Sequence, residues 1–268
     1  LGVKKFKYDE IESDNKVGVA TGLAWTEFGG EILKIETAII LCAGFGKRLQ
    51  DAVSDRPKVL ADVNGRPFVY FLLDQLIDAG ICRVLFCTGY MGECVEATIG
   101  NQYRTLRLDY SRENSPLGTG GALRNAKDIL RGDVVLVING DSFVDINYRD
   151  FVAWHAMKNA NISIAITLSD KSDRFGIVEL SLDQRVTKFR EKFSPYIDST
   201  FYISVGVYLI RRSIIDSLPN QDQLSLEMQV FPSLVGDEMF GYDTCGKFID
   251  IGTPESYQSA GQFFCQNG

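Results

Sequence analysis

From Thr37 onward, the chain alternates short apolar runs with segments of helical periodicity. The run at residues 38–42 is followed by glycines at positions 44 and 46, as expected of a parallel strand that is buried on both faces. Similar runs occur at residues 83–88 and 133–138. This alternation predicts an α/β, Rossmann-like fold of three layers, with a mostly parallel sheet and right-handed crossovers.

The remaining segments continue this pattern to the C-terminus. Pro67 suits the first position of a helix over residues 67–79, and Gly80 suits its end. Further helices are predicted at residues 120–130, 148–158, 212–217 and 225–230, and from residue 254 onward. Further strands are predicted at residues 106–110, 161–168, 176–180, 185–190 and 201–209, and near residues 239 and 248.

Composition limits the classes of partner. The 268 residues suffice for one large domain or two small ones, and 45% of them are hydrophobic. The formal net charge of −7 argues against a nucleic-acid-binding surface but not against a small phosphate ligand. No apolar run approaches the ~20 residues of a membrane span. The six cysteines form no CxxC pair. We therefore expect a protein of the reducing cytoplasm with neither nucleic-acid nor membrane partners.

The first 36 residues do not follow the strand–helix pattern. Two short β-type runs flank Gly29-Gly30, a dipeptide that suits a tight hairpin turn. A hairpin of this kind is marginal alone and needs a surface to pack on. We therefore divide the chain into an N-terminal segment, residues 1–36, and an α/β domain, residues 37–268.

The loop after the first strand combines glycines with cations. Gly44 and Gly46 allow close backbone approach to a phosphate, and Lys47 and Arg48 supply positive charge beside it. The dinucleotide fingerprint fails because Leu49 occupies its third glycine position, and no Gly-Lys-Ser/Thr completes a P-loop. The spacing favours a triphosphate site, but a plain glycine-rich connection with exposed cations stays open.

This loop, LCAGFGKRL, resembles the signature LAGGxGTRL of sugar-phosphate nucleotidylyltransferases. The resemblance continues in RPKVL at residues 56–60, SPLGTGGA at 115–122, NGDSF at 139–143, FREK at 189–192 and FIDIGTPE at 248–255. It extends from residue 37 to the C-terminus and is similar to the branch of heptose-1-phosphate and mannose-1-phosphate guanylyltransferases. It implies a nucleotide-diphospho-sugar transferase fold and transfer of a nucleotidyl group from an NTP, GTP favoured, to a sugar-1-phosphate with release of pyrophosphate.

The resemblance also implies roles for individual residues. The implied catalytic cations are Arg48, which would contact the triphosphate, and Lys58, which would contact the α-phosphate region or the sugar phosphate. The metal ligands, for Mg²⁺, are Asp141 and Asp250. The implied nucleotide contacts are Ala43, Gly44, Gly46, Lys47, Leu117, Gly118 and Thr119. The implied sugar-phosphate contacts are Gly176, Glu191, Lys192 and Gly206.

Several residues also have plainer interpretations. Asp141 suits a turn after a strand, and Thr119 suits a helix N-cap. Glu191 and Lys192 suit a solvated charge pair. The single histidine, His155, has no Ser or Asp arrangement around it and is interpreted as structural.

Three departures from the family pattern support a second hypothesis. Ala43 replaces a glycine, Lys47 replaces a threonine, and Ser204 stands where many relatives have asparagine. A regulatory module that binds nucleotide sugars without catalysis is therefore an alternative to the enzyme.

Residues 1–36 resemble the start of the proteolytic domain of Lon-type ATP-dependent proteases. That family's Ser/Lys dyad lies far downstream, so we expect no protease activity. A homo-oligomer is left open.

Overall fold

The computed structural model describes residues 20–24, 31–44, 49, 53, 55–170, 174–191, 200–236 and 238–265. Its strands are β1 Ala20–Ala24, β2 Glu31–Leu41, β3 Asp62–Val63, β4 Arg66–Pro67, β5 Arg83–Thr88, β6 Gln102–Tyr103, β7 Leu106–Arg112, β8 Val134–Asn139, β9 Ser142–Val144, β10 Ile162–Ser169, β11 Ile177–Leu180, β12 Val186–Arg190, β13 Phe201–Arg211, β14 Met239–Asp243 and β15 Phe248–Asp250.

The helices are α1 Val69–Asp78, α2 Gly92–Ile99, α3 Gly118–Ala126, α4 Tyr148–Met157, α5 Arg212–Asp216, α6 Phe231–Ser233 and α7 Pro254–Cys265. Two 3₁₀ turns, Lys58–Leu60 and Lys127–Ile129, and one π-helical turn, Leu226–Val230, complete the helical segments of the described part.

The central sheet has the order β12-β11-β13-β8-β2-β5-β7-β6. Its middle strands β8, β2, β5 and β7 are parallel, whereas β13 is antiparallel to β8. Strand β10 pairs with β13 and with β14. This arrangement confirms the predicted mostly parallel sheet, and the carboxyl ends of β2 and β8 lie side by side at one edge of it.

Each face of the sheet is covered by its own apolar core. Within β2, Ala38 and Ile40 belong to one core while Ile39 belongs to the other, as the alternation of side chains along a strand requires. Helices α1 and α4 contribute to the first core and α3 to the second. The strands at the centre are therefore apolar on both faces, which explains the continuous runs in the sequence.

The N-terminal hairpin is present in the described residues. Strand β1 pairs antiparallel with β2, from Ala20 opposite Ile35 to Ala24 opposite Glu31. The predicted turn at Gly29-Gly30 lies outside the described residues. Strand β2 continues without a break into the run that pairs with β5 and β8. The hairpin is therefore an extension of the first strand of the α/β domain.

One local prediction was wrong, and one helix was not predicted. Helix α1 begins at Val69, because Pro67 lies in the short strand β4 and pairs with Asp62. Helix α2 was not predicted, because the glycines at positions 89 and 92 indicate a loop, and Met91, the residue before the helix, has a left-handed conformation, φ 55°. Among the described residues, no helix is long and apolar enough to cross a membrane.

Candidate active site

A cleft of about 320 Å³ opens at the carboxyl ends of β2 and β8. Four chain segments line it: the start of the loop after β2, the 3₁₀ turn at Lys58, the stretch from Glu113 into α3, and the residues at the end of β8 and just after it. The backbone N–H of Gly140 donates to the carbonyl of Leu41 at 2.8 Å, which ties the ends of the two strands together. The predicted site motifs thus converge on the sheet edge at which α/β proteins bind ligands.

The described part of the first loop lies in this cleft. Ala43 and Gly44 both line it, and a Cβ atom added at Gly44 would meet nothing within 4 Å. Their backbone is therefore open to a ligand. Three further predicted residues of the loop, Gly46, Lys47 and Arg48, lie outside the described residues.

Helix α3 presents its first turn to the same cleft. Gly118 and Thr119 line it, while the carbonyl of Leu117 accepts a hydrogen bond from the Leu224 N–H at 2.8 Å. The interpretation of Thr119 as the N-cap is wrong, because Leu117 holds that position. The Thr119 hydroxyl instead donates to Glu227 Oε2 at 2.6 Å.

The two predicted metal-binding carboxylates lie on paired strands. Asp141 directly precedes β9 and Asp250 ends β15, and these strands pair so that Asp250 is opposite Ser142. The backbone N–H of Ile251 donates to the carbonyl of Asp141 at 2.8 Å. The pairing brings together two acidic residues that are far apart in sequence.

Lys58 lies near both carboxylates. Its Nζ atom is 3.4 Å from Asp141 Oδ2. A Cβ atom placed on Gly252 would be 3.9 Å from that same Nζ and 2.6 Å from Asp250 Oδ2. The buried side chains of the 3₁₀ turn after Lys58 anchor it in this position. The structure therefore brings Lys58, Asp141 and Asp250 together, as the sequence motifs predict.

Arg174 is a second cation at this site, and no sequence motif indicated it. Its Nη2 atom is 2.5 Å from Asp250 Oδ1, and the Gly252 N–H donates to Asp250 Oδ2 at 2.8 Å. Burial raises the pKa of the Asp250 carboxyl, the Arg174 guanidinium opposes this rise, and the negative charge of Asp141 adds to it. The site therefore concentrates negative charge that neighbouring cations partly neutralise.

The donor set fits a magnesium ion. Asp141 and Asp250 supply hard oxygen ligands, and Mg²⁺ commonly takes only one or two carboxylates alongside phosphate oxygens and water. The effect of Asp141 on the Asp250 pKa is the electrostatic repulsion that a divalent cation would relieve. Among the described residues, no group of three or more His, Cys, Asp and Glu side chains forms an all-protein metal site. A site completed by a substrate's phosphates is consistent with both observations.

A second cleft of about 240 Å³ adjoins the first and shares Thr119, Asn139 and Asp141 with it. Three of the predicted sugar-phosphate contacts, Gly176, Glu191 and Gly206, line this second cleft. The fourth, Lys192, lies outside the described residues. The two clefts meet at Asp141, so ligands in both would have their reacting ends close to the carboxylate pair.

Gly206 shows why a glycine is needed in the second cleft. Its φ of +76° suits glycine, and an added Cβ atom would lie 2.6 Å from the amide nitrogen of Asn139. The Oδ1 atom of Asn139 is itself buried and meets no hydrogen-bond donor in the described part of the chain. Glycine therefore lets β13 pass close to a side chain that faces both clefts.

Glu227 was also missed by sequence reasoning. It lines the second cleft and accepts from Thr119 at 2.6 Å and from Ser225 at 3.0 Å. Tyr208 donates to its other oxygen at 3.3 Å. The only sequence signal was a Ser-x-Glu spacing at a helix start, which is common at surface helices.

The sequence model of the nucleotidyl transferase family matches residues 37–267. The chain belongs to this family. The match confirms the predicted family and enzyme class for the α/β domain of this transferase. A second match, to the C-terminal proteolytic domain of Lon protease (S16), covers residues 1–50 and overlaps the beginning of the transferase.

Two relatives of this transferase are named as sugar-1-phosphate guanylyltransferases. The D-glycero-alpha-D-manno-heptose 1-phosphate guanylyltransferase of Aneurinibacillus thermoaerophilus is 33% identical, over 83% of this chain and 96% of its own length. The mannose-1-phosphate guanylyltransferase of Mycobacterium tuberculosis is 32% identical, over 82% of this chain but only 62% of the relative. The crystal structure of HddC from Yersinia pseudotuberculosis complexed with GMP-PN matches with a TM-score of 0.74 and 31% identity, over 85% of this chain and 99% of HddC. This similarity confirms the nucleotide-diphospho-sugar transferase fold.

Proposed function

We propose that this transferase moves the guanylyl group of GTP onto a heptose- or mannose-type sugar-1-phosphate and releases pyrophosphate. A phosphate oxygen of the sugar phosphate attacks the α-phosphorus of GTP. The bond from that phosphorus to the bridging oxygen of the β-phosphate breaks, and pyrophosphate leaves with the electron pair. The names of the relatives support the substrates, and the cluster of Lys58, Asp141 and Asp250 where two clefts meet is the structural observation that carries the proposal.

In this proposal the first cleft holds the nucleotide and the second holds the sugar phosphate. The backbone around Gly44 and Gly118 contacts the nucleotide, and Glu191 contacts sugar hydroxyls. Lys58 neutralises charge at the α-phosphate, since it lines the first cleft and its Nζ atom is 3.4 Å from Asp141 Oδ2. Catalysis of this kind depends on positioning and on charge stabilisation, because the protein forms no covalent bond with the substrate.

The remaining predicted contacts take corresponding places in the proposal. Asp141 and Asp250 would hold a magnesium ion, which supplies charge neutralisation on the triphosphate when bound. Arg48 binds the leaving pyrophosphate, and Lys192 binds the sugar phosphate. We place the reaction in the cytoplasm, where six unpaired cysteines are ordinary. We assign no protease function to residues 1–36, since β2 passes directly from them into the transferase.

A substrate matrix tests this proposal. The chain is incubated with each of four NTPs and with heptose-, mannose-, glucose- and N-acetylglucosamine-1-phosphates, and pyrophosphate release is measured with and without Mg²⁺. We expect release with GTP, a heptose- or mannose-type phosphate and Mg²⁺ together. Tight GTP binding without any product would support the regulatory alternative instead.

Variants then test the residues. Lys58→Ala and Asp141→Asn should each lower turnover by on the order of 10²-fold or more, as removal of other transition-state charge stabilisers does. Asp145→Asn is the matched control, because Asp145 is exposed and lines neither cleft. Full turnover in both site variants would contradict the assigned roles while leaving the family assignment intact.

A further inference from the structure

Each carboxylate of the active site already has a cation beside it. Lys58 Nζ is 3.4 Å from Asp141 Oδ2, and Arg174 Nη2 is 2.5 Å from Asp250 Oδ1. The proposed chemistry uses Lys58 at the phosphates of the substrate, but it gives Arg174 no role. In their ionised forms, the charges of these four side chains cancel. A divalent cation that binds there by itself therefore adds positive charge that nothing in this cluster compensates.

The pair of Arg174 and Asp250 is the better shielded of the two ion pairs. Their side chains are 20% and 14% exposed, whereas Asp141 in the other pair is 37% exposed. Charges that are poorly solvated interact more strongly, because water and salt screen them less. The positive charge of Arg174 would therefore act strongly on any cation bound to Asp250.

Helix α7 holds the Arg174 side chain in this place. The Nη2 atom also donates to Ser256 Oγ at 3.1 Å, in the first turn of α7. That Oγ atom in turn accepts a hydrogen bond from the Thr253 N–H at 3.3 Å. The guanidinium carbon lies 5.3 Å from the centre of the Phe175 ring. Contacts with the protein thus keep the guanidinium beside Asp250.

Arg174 does not block Asp250 as a ligand. Among the described residues, the guanidinium donates to this carboxylate through Nη2 alone. The Gly252 N–H donates to the other oxygen, Oδ2. An ionised carboxylate has about four acceptor positions on its two oxygens. Positions for a cation therefore remain, and Arg174 weakens the binding of a cation by its charge.

A nucleoside triphosphate changes this charge balance, because its phosphates bring negative charge and oxygen ligands to the ion. We propose that Arg174 keeps the carboxylate pair from binding a divalent cation tightly by itself, so that the cation enters together with the triphosphate. This inference rests on the proposed function, because it takes Asp141 and Asp250 as the metal ligands. Arg174 is then a positioning residue that acts through Asp250.

Metal binding in the absence of nucleotide tests this role. Mn²⁺ takes the same oxygen ligands as Mg²⁺, and electron paramagnetic resonance measures its unbound fraction. In Arg174→Met, the dissociation constant for Mn²⁺ should fall by on the order of 10-fold or more, because a positive charge a few ångströms from the ion is lost. Arg174→Gln, a second neutral variant, should show the same change. Arg174→Lys keeps the charge and should bind Mn²⁺ as weakly as the wild type.

The matched control is Arg83→Met. Arg83 Nε is 2.7 Å from Asp109 Oδ2, and this ion pair is also largely buried. Neither of its residues lines the first or the second cleft. The control therefore loses a similar arginine far from the carboxylate pair and should keep the wild-type dissociation constant for Mn²⁺. Circular dichroism before each titration verifies that the variants are folded.

Calorimetric titration with Mg–GTP gives a second measurement. Mg–GTP carries net negative charge, so the loss of Arg174 should not tighten its binding. Tighter binding of Mn²⁺ alone, without tighter binding of Mg–GTP, supports the proposal. The proposal is overturned if Arg174→Met binds Mn²⁺ no more tightly than the wild type, if Arg174→Lys binds it as tightly as Arg174→Met, or if Mg–GTP binding tightens by the same factor.

The Mn²⁺ titration separates this inference from the proposed function. It needs no nucleotide, sugar phosphate or turnover. Guanylyl transfer in the substrate matrix with an unchanged Mn²⁺ affinity in Arg174→Met overturns only the role of Arg174. A tightened Mn²⁺ affinity in that variant supports the role of Arg174 even where the matrix shows no transfer.

Discussion

Gly118→Ala is the substitution for which the structure gives the clearest magnitude. Gly118 begins α3 in the first cleft with a φ of +76°, and an added Cβ atom would lie 2.5 Å from the carbonyl oxygen of Leu224. That carbonyl accepts from the N–H groups of Gly120 at 2.8 Å and Gly121 at 3.0 Å. Alanine therefore requires Leu224 to move away from the helix N-terminus, which weakens both hydrogen bonds.

Two costs add up in this variant. A left-handed conformation costs a residue with a Cβ atom about 1 kcal/mol. Each weakened backbone hydrogen bond costs about 1 kcal/mol more. Gly118→Ala should therefore lower the free energy of unfolding by about 3 kcal/mol. It should also raise the KM for the NTP, since Gly118 and Thr119, at the start of the strained helix, line the cleft.

The matched control is Gly65→Ala. Gly65 has a φ of +80°, but a Cβ atom there would meet nothing within 4 Å. This control therefore includes only the conformational cost of about 1 kcal/mol. Urea unfolding followed by circular dichroism measures both variants against the wild type. Equal destabilisation by the two substitutions would refute the argument that contact with Leu224 dominates.

Three further predictions concern single side chains. Burial lowers the pKa of His155 to about 3, so below pH 6.5 the unfolded chain binds a proton that the folded chain does not. Between pH 7.5 and 5.5 the wild type should therefore lose about 1.4 kcal/mol of unfolding free energy. The His155→Gln variant should not show this loss. If the unfolding free energies of the wild type and of His155→Gln changed equally with pH, the buried, neutral state of His155 would be contradicted. Thr119→Val, which loses the bond to Glu227, should lower the unfolding free energy by about 2 kcal/mol in urea titrations, whereas Thr119→Ser should restore most of it. Burial raises the pKa of the Cys42 thiol well above its usual range, so mass spectrometry after iodoacetamide treatment at pH 8 should show Cys265, which is exposed, alkylated long before Cys42.

Much of the fold could be predicted from the sequence because its signals are local. Strand β5 lies where its apolar run predicts, and α4 begins at Tyr148 as predicted. Strands β5 and β8 are apolar over most of their length because both faces of the sheet there are covered by an apolar core. The exceptions have local causes. Pro67 lies in the short strand β4 and not in α1, and Met91, just before α2, has a left-handed conformation that the sequence does not indicate.

The glycine-rich loop after β2, the start of α3 at Gly118 and Asp141 after β8 could likewise be located from the sequence, because each belongs to a short contiguous motif that resembles the family pattern. The pairing of β9 with β15, which brings Asp250 to Asp141, is a long-range contact that no local pattern specifies. The same holds for Arg174 beside Asp250 and for Glu227, which accepts a hydrogen bond from Thr119. Which side chains complete a site depends on distances between segments remote in sequence, and packing of the whole chain fixes those distances.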